Sequence, residues 1–126
     1  MGQAIVLRLI EKGHSVGVWN RTFSKLEAPV SAGARRAETP ARLAEESDAL
    51  IVILTNAEAQ KAVYSTPKSG LLAADLESKL VIDMSTVRPE ASIALAALVS
   101  AKGGLFVESP VGGTTGPARE GKLFAF

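Results

Sequence analysis

The sequence predicts an α/β fold: a doubly wound parallel sheet with helices on both faces. Three observations predict it. Short apolar runs alternate along the chain with longer helical segments, the pattern of parallel strands joined by crossover helices. The strongest run, Ala49–Leu54, is apolar throughout, as in strands buried on both faces. Polar and glycine residues follow each run at once, where the ligand-binding strand tips of such sheets lie.

The elements follow in order. Residues 3–12 carry Ile5, Val6, Leu9 and Ile10 on one side of a helical wheel, and Gly13 ends the helix. Ser15–Trp19 is a short strand, and Asn20-Arg21-Thr22 turns into a second helical segment with Thr22 as its expected cap and Pro29 shortening it. Thr39 followed by Pro40 opens a helix through about Glu46. After the strand Ala49–Leu54 come a helix over 57–64, the strand Leu80–Asp83, a helix from Pro89 to Lys102 stopped by Gly103-Gly104, and the strand Leu105–Val107. A helix that packs on such a sheet is normally delivered by a preceding strand. Here the first helix has none, so the sheet is expected to lack its first strand. Its absence would leave two sheet edges facing a gap, where buried unpaired backbone groups cost on the order of 1–3 kcal/mol each.

Composition bounds the function. At 126 residues the chain holds one domain and excludes a complete two-domain enzyme. Hydrophobic residues make up 47% and charged ones 21%, which excludes disorder and coiled coil. Lys and Arg number 14 against 13 Asp and Glu, so no basic face suggests a nucleic acid or membrane partner. With no Cys and one His, neither a thiol nucleophile nor a metal site is expected. No apolar run reaches the roughly 20 residues of a membrane span, and no signal peptide pattern opens the chain, so a cytoplasmic protein is expected.

The strand tips carry the candidate chemistry. Asn20-Arg21-Thr22 lies roughly 20 residues after Gly2, the distance at which a dinucleotide fold places the residue that reads the adenosine ribose. An acidic side chain there would accept from ribose hydroxyls; a guanidinium suits a 2′-phosphate. The alternative is that Arg21 is a solvated turn residue. The segment 112–121 holds four glycines, a candidate anion-binding nest or a plain surface turn, with hydroxyls from Thr114 and Thr115. Its Gly116–Leu123 stretch imitates a phosphate-binding loop, but Leu123 stands where a magnesium-binding hydroxyl is needed and Pro117 lacks an N–H, which excludes a nucleotide triphosphatase. Ser85 and Thr86 either line a cleft or cap the helix after them. Asp83 is expected to hydrogen-bond backbone in its own loop, and Trp19 to sit in the core or beside adenine.

Taken together, these tips resemble the β-hydroxyacid dehydrogenases, typified by 3-hydroxyisobutyrate dehydrogenase, and the nucleotide-binding part of 6-phosphogluconate dehydrogenase. Met1-Gly2 resembles the end of the family's GxGxMG loop, and Val18–Thr22 the second-strand tip of its NADP-preferring members. Val81–Thr86 and Ser109–Ala118, followed by Gly121 and Leu123, are similar to two further signatures. The resemblance implies a Rossmann-like fold with Gly2 in the pyrophosphate loop and Asn20, Arg21 and Thr22 at the ribose phosphate. It implies Leu54, Thr55 and Thr86 beside the nicotinamide half, and Gly112, Gly113 and Thr114 on the substrate carboxylate.

The chain departs from the family at Thr55, where proline is common, and at Gly112-Gly113-Thr114, where Ser-Gly-Gly is common. By the same resemblance the chain is a fragment, a truncated NAD(P)-binding domain over 1–126. Its first strand, the helical C-terminal domain and the catalytic lysine would lie outside it, the lysine beyond Phe126. No catalytic residue is therefore assigned. The expected function is that of the NADP-binding domain, NAD being possible, of an oxidoreductase. Such an enzyme moves a hydride between nicotinamide and a small hydroxyacid or its aldehyde or keto counterpart, as a possible homo-oligomer in full-length form. The chain alone is expected to be inactive, and the alternative is a truncated non-catalytic nucleotide-binding or interaction module.

Overall fold

A computed structural model describes residues 1–126. Helix α1 (Gly2–Glu11) leads to β1 (Gly17–Val18), a 3-10 turn over Phe23–Leu26 and α2 (Glu27–Ser31). Then follow β2 (Arg35–Arg36), α3 (Pro40–Glu45), β3 (Ala49–Val52), α4 (Ala57–Ser65), a 3-10 turn over Leu71–Ala73, and β4 (Leu80–Asp83). The chain ends with α5 (Pro89–Ala101), β5 (Leu105–Glu108), β6 (Val111–Gly112), α6 (Thr115–Glu120) and β7 (Phe124–Ala125).

The α/β class and the parallel pairing are as expected. The parallel strands form two sheets, β1-β2 and β3-β4-β5, and β1 and β3 are each unpaired on one edge. Helix α1 reaches both. Its Val6 and Ile10 pack on the small cluster of Val18, Leu26 and Ala34, while Gly2 at its N-terminus abuts Ile53 just past β3. The larger core lies on one face of β3-β4-β5, where Leu50, Val52 and Val81 meet Ala41 and Ala44 of α3, Tyr64 of α4, and Leu95 and Val99 of α5.

Several expectations need correcting. The run Ala49–Leu54 is not buried on both faces: Leu50 and Val52 are buried, whereas Ile51 is 41% exposed. In register with it, Val107 is 45% exposed, and two residues earlier on the same face Leu105 is 65% exposed. Much of this face is therefore open to solvent. In keeping with that, the chain exposes 7480 Å², where a compact chain of 13.1 kDa exposes about 6,400 Å². The strand expected over Ser15–Trp19 contracts to Gly17–Val18. Thr22 makes no side-chain cap; its N–H instead bonds to Asn20 Oδ1 at 2.8 Å, closing a turn at the β1 tip. The expected Thr39 cap is present, with Oγ1 accepting from the Arg42 N–H at 3.0 Å. Three features were not expected: the charged strand β2, and the antiparallel β6-β7 pair with α6 between its strands. Helix α6 packs on α1 and is tied to it by Arg119 and Glu11 at 3.5 Å. The hydrogen bond and charge of Arg8 hold the Glu11 carboxyl below the usual carboxylate range.

Candidate functional site

The site is assembled at the C-terminal tips of the parallel strands. Gly2 is the first residue of α1, and a Cβ there would stand 3.2 Å from Ile53 Cγ2, so the lack of a side chain lets the helix end sit against the β3 tip. The α1 N-cap makes no side-chain bond, and the N–H groups of Gly2 and Gln3 have no backbone acceptor. Such a helix end suits a phosphate oxygen.

Next along the edge, Leu54 donates its N–H to Ser85 Oγ at 3.0 Å, joining the β3 tip to the β4 tip. Ser85 therefore clamps two strands rather than capping α5, whose N-cap is Arg88 without a side-chain bond. Beyond this clamp lies a cleft of about 540 Å³, lined by Thr55, Asn56 and Ala57 on one side and by Thr86, Val87, Arg88, Glu90 and Ala91 on the other. Two expected residues, Thr55 and Thr86, line it; Leu54 does not, and packs half-buried against the larger core. Asn56 was missed. It caps α4 by accepting from the Ala59 N–H at 2.8 Å, a role readable from an Asn before a helical run.

Under the cleft is a buried polar cluster. Asp83, at the end of β4, accepts from Gln60 Nε2 at 2.9 Å and from the Tyr64 hydroxyl at 2.8 Å through Oδ2, and from the Ser85 N–H at 2.9 Å through Oδ1. The last bond is the expected backbone contact. Gln60 and Tyr64 carried no local signal beyond their i, i+4 spacing on α4. Burial, with the charge and hydrogen bond of Asp83, pushes the Tyr64 hydroxyl far above its ordinary value. Its contribution to stability is thus complete below about pH 10, the unfolded tyrosine value, and falls as pH rises past it, because only the unfolded state then releases the proton. Urea denaturation at about pH 9 and pH 11 is expected to cost the wild type about 1.4 kcal/mol more than Tyr64→Phe across that interval.

At the β1 tip, Arg21 and Thr22 are exposed and Asn20 and Trp19 half-buried. Arg21 joins none of the ion pairs of the protein. Its neighbours in β2 are occupied: Arg35 by Glu46 at 2.9 Å, and Arg36 by Glu38 at 3.1 Å and the Phe23 ring at 5.0 Å. Lys25, whose N–H bonds to the Thr22 carbonyl at 3.0 Å, places a second unpaired cation one turn further on. Gly112, Gly113 and Thr114 lie elsewhere. Gly112 faces the Phe126 ring, Gly113 (φ +136°) faces Leu123, and Thr114 is the N-cap of α6, none of them lining the cleft.

The whole chain, residues 1–126, matches the family model of the NAD binding domain of 6-phosphogluconate dehydrogenase. The chain belongs to that family. It is 40% identical over 123 residues to glyoxylate/succinic semialdehyde reductase 1 of Arabidopsis thaliana, covering 98% of this chain and 42% of the relative. It is 37% identical over 123 residues to the cytokine-like nuclear factor N-PAC of Xenopus tropicalis, covering 98% of this chain and 23% of that protein. A solved structure, Psf3 in complex with NADP+ and 2-OPP, superposes with a TM-score of 0.93 at 34% identity, over 99% of this chain and 44% of that one. The chain thus spans less than half the length of these relatives. An NAD(P)-binding, Rossmann-like domain of the hydroxyacid dehydrogenase family is established, and no helix is long and apolar enough to cross a membrane.

Proposed function

We propose that this chain is the NADP-binding domain of an oxidoreductase acting on a small β-hydroxyacid or its aldehyde or keto counterpart. The observation that carries the reading is the unpaired Arg21, on a tip whose neighbouring arginines are neutralised. A dianionic 2′-phosphate is the group it fits. The open N–H groups of Gly2 and Gln3 suit the pyrophosphate. Leu54, Thr55 and Thr86 then border the nicotinamide half. When bound, the cofactor supplies the hydride chemistry. The residues of this chain bind and orient it and keep water from one of its faces, and none is assigned the proton transfer. The substrate carboxylate is proposed for the turn at Gly112, Gly113 and Thr114, which lies outside the cleft, and the 40% identity to a glyoxylate/succinic semialdehyde reductase supports small aldehyde acids as the substrate class.

Trp19, the single tryptophan, adjoins the proposed ribose site. Titration with NADPH is expected to quench its emission with saturation, and with NADH to do so at higher concentration. Absence of saturable quenching by NADPH overturns the proposal. The similarity to N-PAC favours a second reading, a nucleotide-binding module without turnover. NADPH binding together with no loss of 340 nm absorbance on adding succinic semialdehyde to the full-length gene product favours that module; turnover excludes it.

A further inference from the structure

We infer that Asp83 is a positioning residue that sets both walls of the cofactor cleft without touching the cofactor. The inference rests on the NADP-binding reading above. Asp83 is 2% exposed and has no cationic partner; its charge is held by three neutral donors. Burying a carboxylate is costly unless its lone pairs are filled. A carboxylate serving only as filler could be exchanged for an apolar side chain without consequence at the cleft. Its bonds, however, run to α4 and to the loop after β4, which supply residues to the two walls of the cleft.

Through Oδ2 it holds Gln60 and Tyr64, and so fixes α4, whose first turn supplies Asn56 and Ala57 to one wall. Through Oδ1 it holds the Ser85 N–H at the start of the loop that supplies Thr86, Val87 and Arg88 to the other wall. Ser85 passes the constraint on, since its Oγ receives the Leu54 N–H at the β3 tip just before Thr55. The backbone of the same residues continues the line. Met84 N–H bonds to Val52 O at 2.7 Å, and Ser109 N–H bonds to Asp83 O at 2.9 Å, bringing the β5 tip into register.

Gln60 marks how strongly the carboxylate dictates this arrangement. Its side chain is buried and turns its NH2 to Asp83, leaving Oε1 without a donor among the protein's own atoms. An amide free to choose would not leave a buried acceptor empty. The orphaned oxygen also makes Asp83→Asn an informative variant. The Asn Oδ1 can accept from Ser85 N–H, while its NH2 meets Gln60 Oε1 after rotation of that amide.

The test compares NADPH with adenosine 2′,5′-bisphosphate, which carries the 2′-phosphate but no nicotinamide, both titrated against Trp19 emission. Asp83→Leu is expected to weaken NADPH about tenfold, equivalent to 1.4 kcal/mol, and to leave the bisphosphate within about twofold. Tyr64→Phe, which keeps the ring in the core, is expected to weaken NADPH about threefold with the bisphosphate unchanged. Asp83→Asn is expected to recover most of the loss. If Asp83→Leu does not fold, Tyr64→Phe and Asp83→Asn carry the comparison. The inference is overturned by unchanged NADPH affinity in Asp83→Leu or Tyr64→Phe, by a parallel fall for both ligands, or by an Asn variant as weak as Leu. Failure of the wild type to bind either ligand is a distinct result, which removes the NADP reading and this inference together.

Discussion

Gly70→Ala is expected to cost more than about 3 kcal/mol and to leave little folded protein in modest urea, beyond the usual 1–3 kcal/mol of overpacking. The reason is space, not backbone conformation, since φ at Gly70 is an ordinary −68°. A Cβ at this buried residue would stand 2.6 Å from the Tyr64 carbonyl oxygen, 2.7 Å from the Thr66 nitrogen and 2.8 Å from the Thr66 oxygen. All three are backbone atoms and cannot rotate aside. They belong to the end of α4, where the Gly70 N–H bonds to the Thr66 carbonyl at 2.7 Å. Relief would require the end of the helix to shift, and Tyr64 with it. Gly116→Ala is the control: nothing lies within 4 Å of its Cβ position inside α6, so stability should hold or rise by up to about 1 kcal/mol. Urea midpoints of the two variants check both outcomes, and a Gly70→Ala midpoint equal to that of the wild type would show that the packing at the end of α4 is loose.

The fold was legible in the sequence where local pattern and tertiary role coincide. β3, β4, β5 and α5 lie within about two residues of their expected bounds because apolar runs and glycine stops mark them locally. Strand β2 is Arg35-Arg36, extended through its pairing with β1, and charged residues announce no strand. Helix α6 contains Gly116 and Pro117, which read as a loop, and its stability comes from packing on α1. An apolar run such as 49–54 states that something must be buried but not how many layers cover it, hence the exposed Ile51.

The site divides in the same way. Leu54, Thr55 and Thr86 were legible as strand-tip residues, a position that follows from the α/β topology, whereas Gly2 was singled out through the family resemblance. Gln60 and Tyr64 were not, because a polar residue on a helix acquires its partner, here Asp83, only when a strand 19 to 23 residues later packs against it.

Arg21→Ala is expected to raise the Kd for NADPH about 30-fold, equivalent to roughly 2 kcal/mol, within the range for a hydrogen bond to a charged group. NADH, with no 2′-phosphate, should bind as before, so the variant loses its preference rather than its site. The effect follows from what surrounds the residue: Arg35 and Arg36 are committed to Glu46, Glu38 and the Phe23 ring, leaving Lys25 as the only other unpaired cation at this tip. Because Arg21 is exposed, its attraction to phosphate is screened, and the NADPH advantage should shrink as salt is raised and the Debye length falls from about 10 Å at 0.1 M toward 3 Å at 1 M. A merely structural role for Arg21 would lower both affinities and show no such salt dependence. Equal binding of NADPH and NADH by the wild type, unchanged in Arg21→Ala, would mean that the β1 tip reads ribose hydroxyls through Asn20 or Thr22 and that the cofactor is NAD.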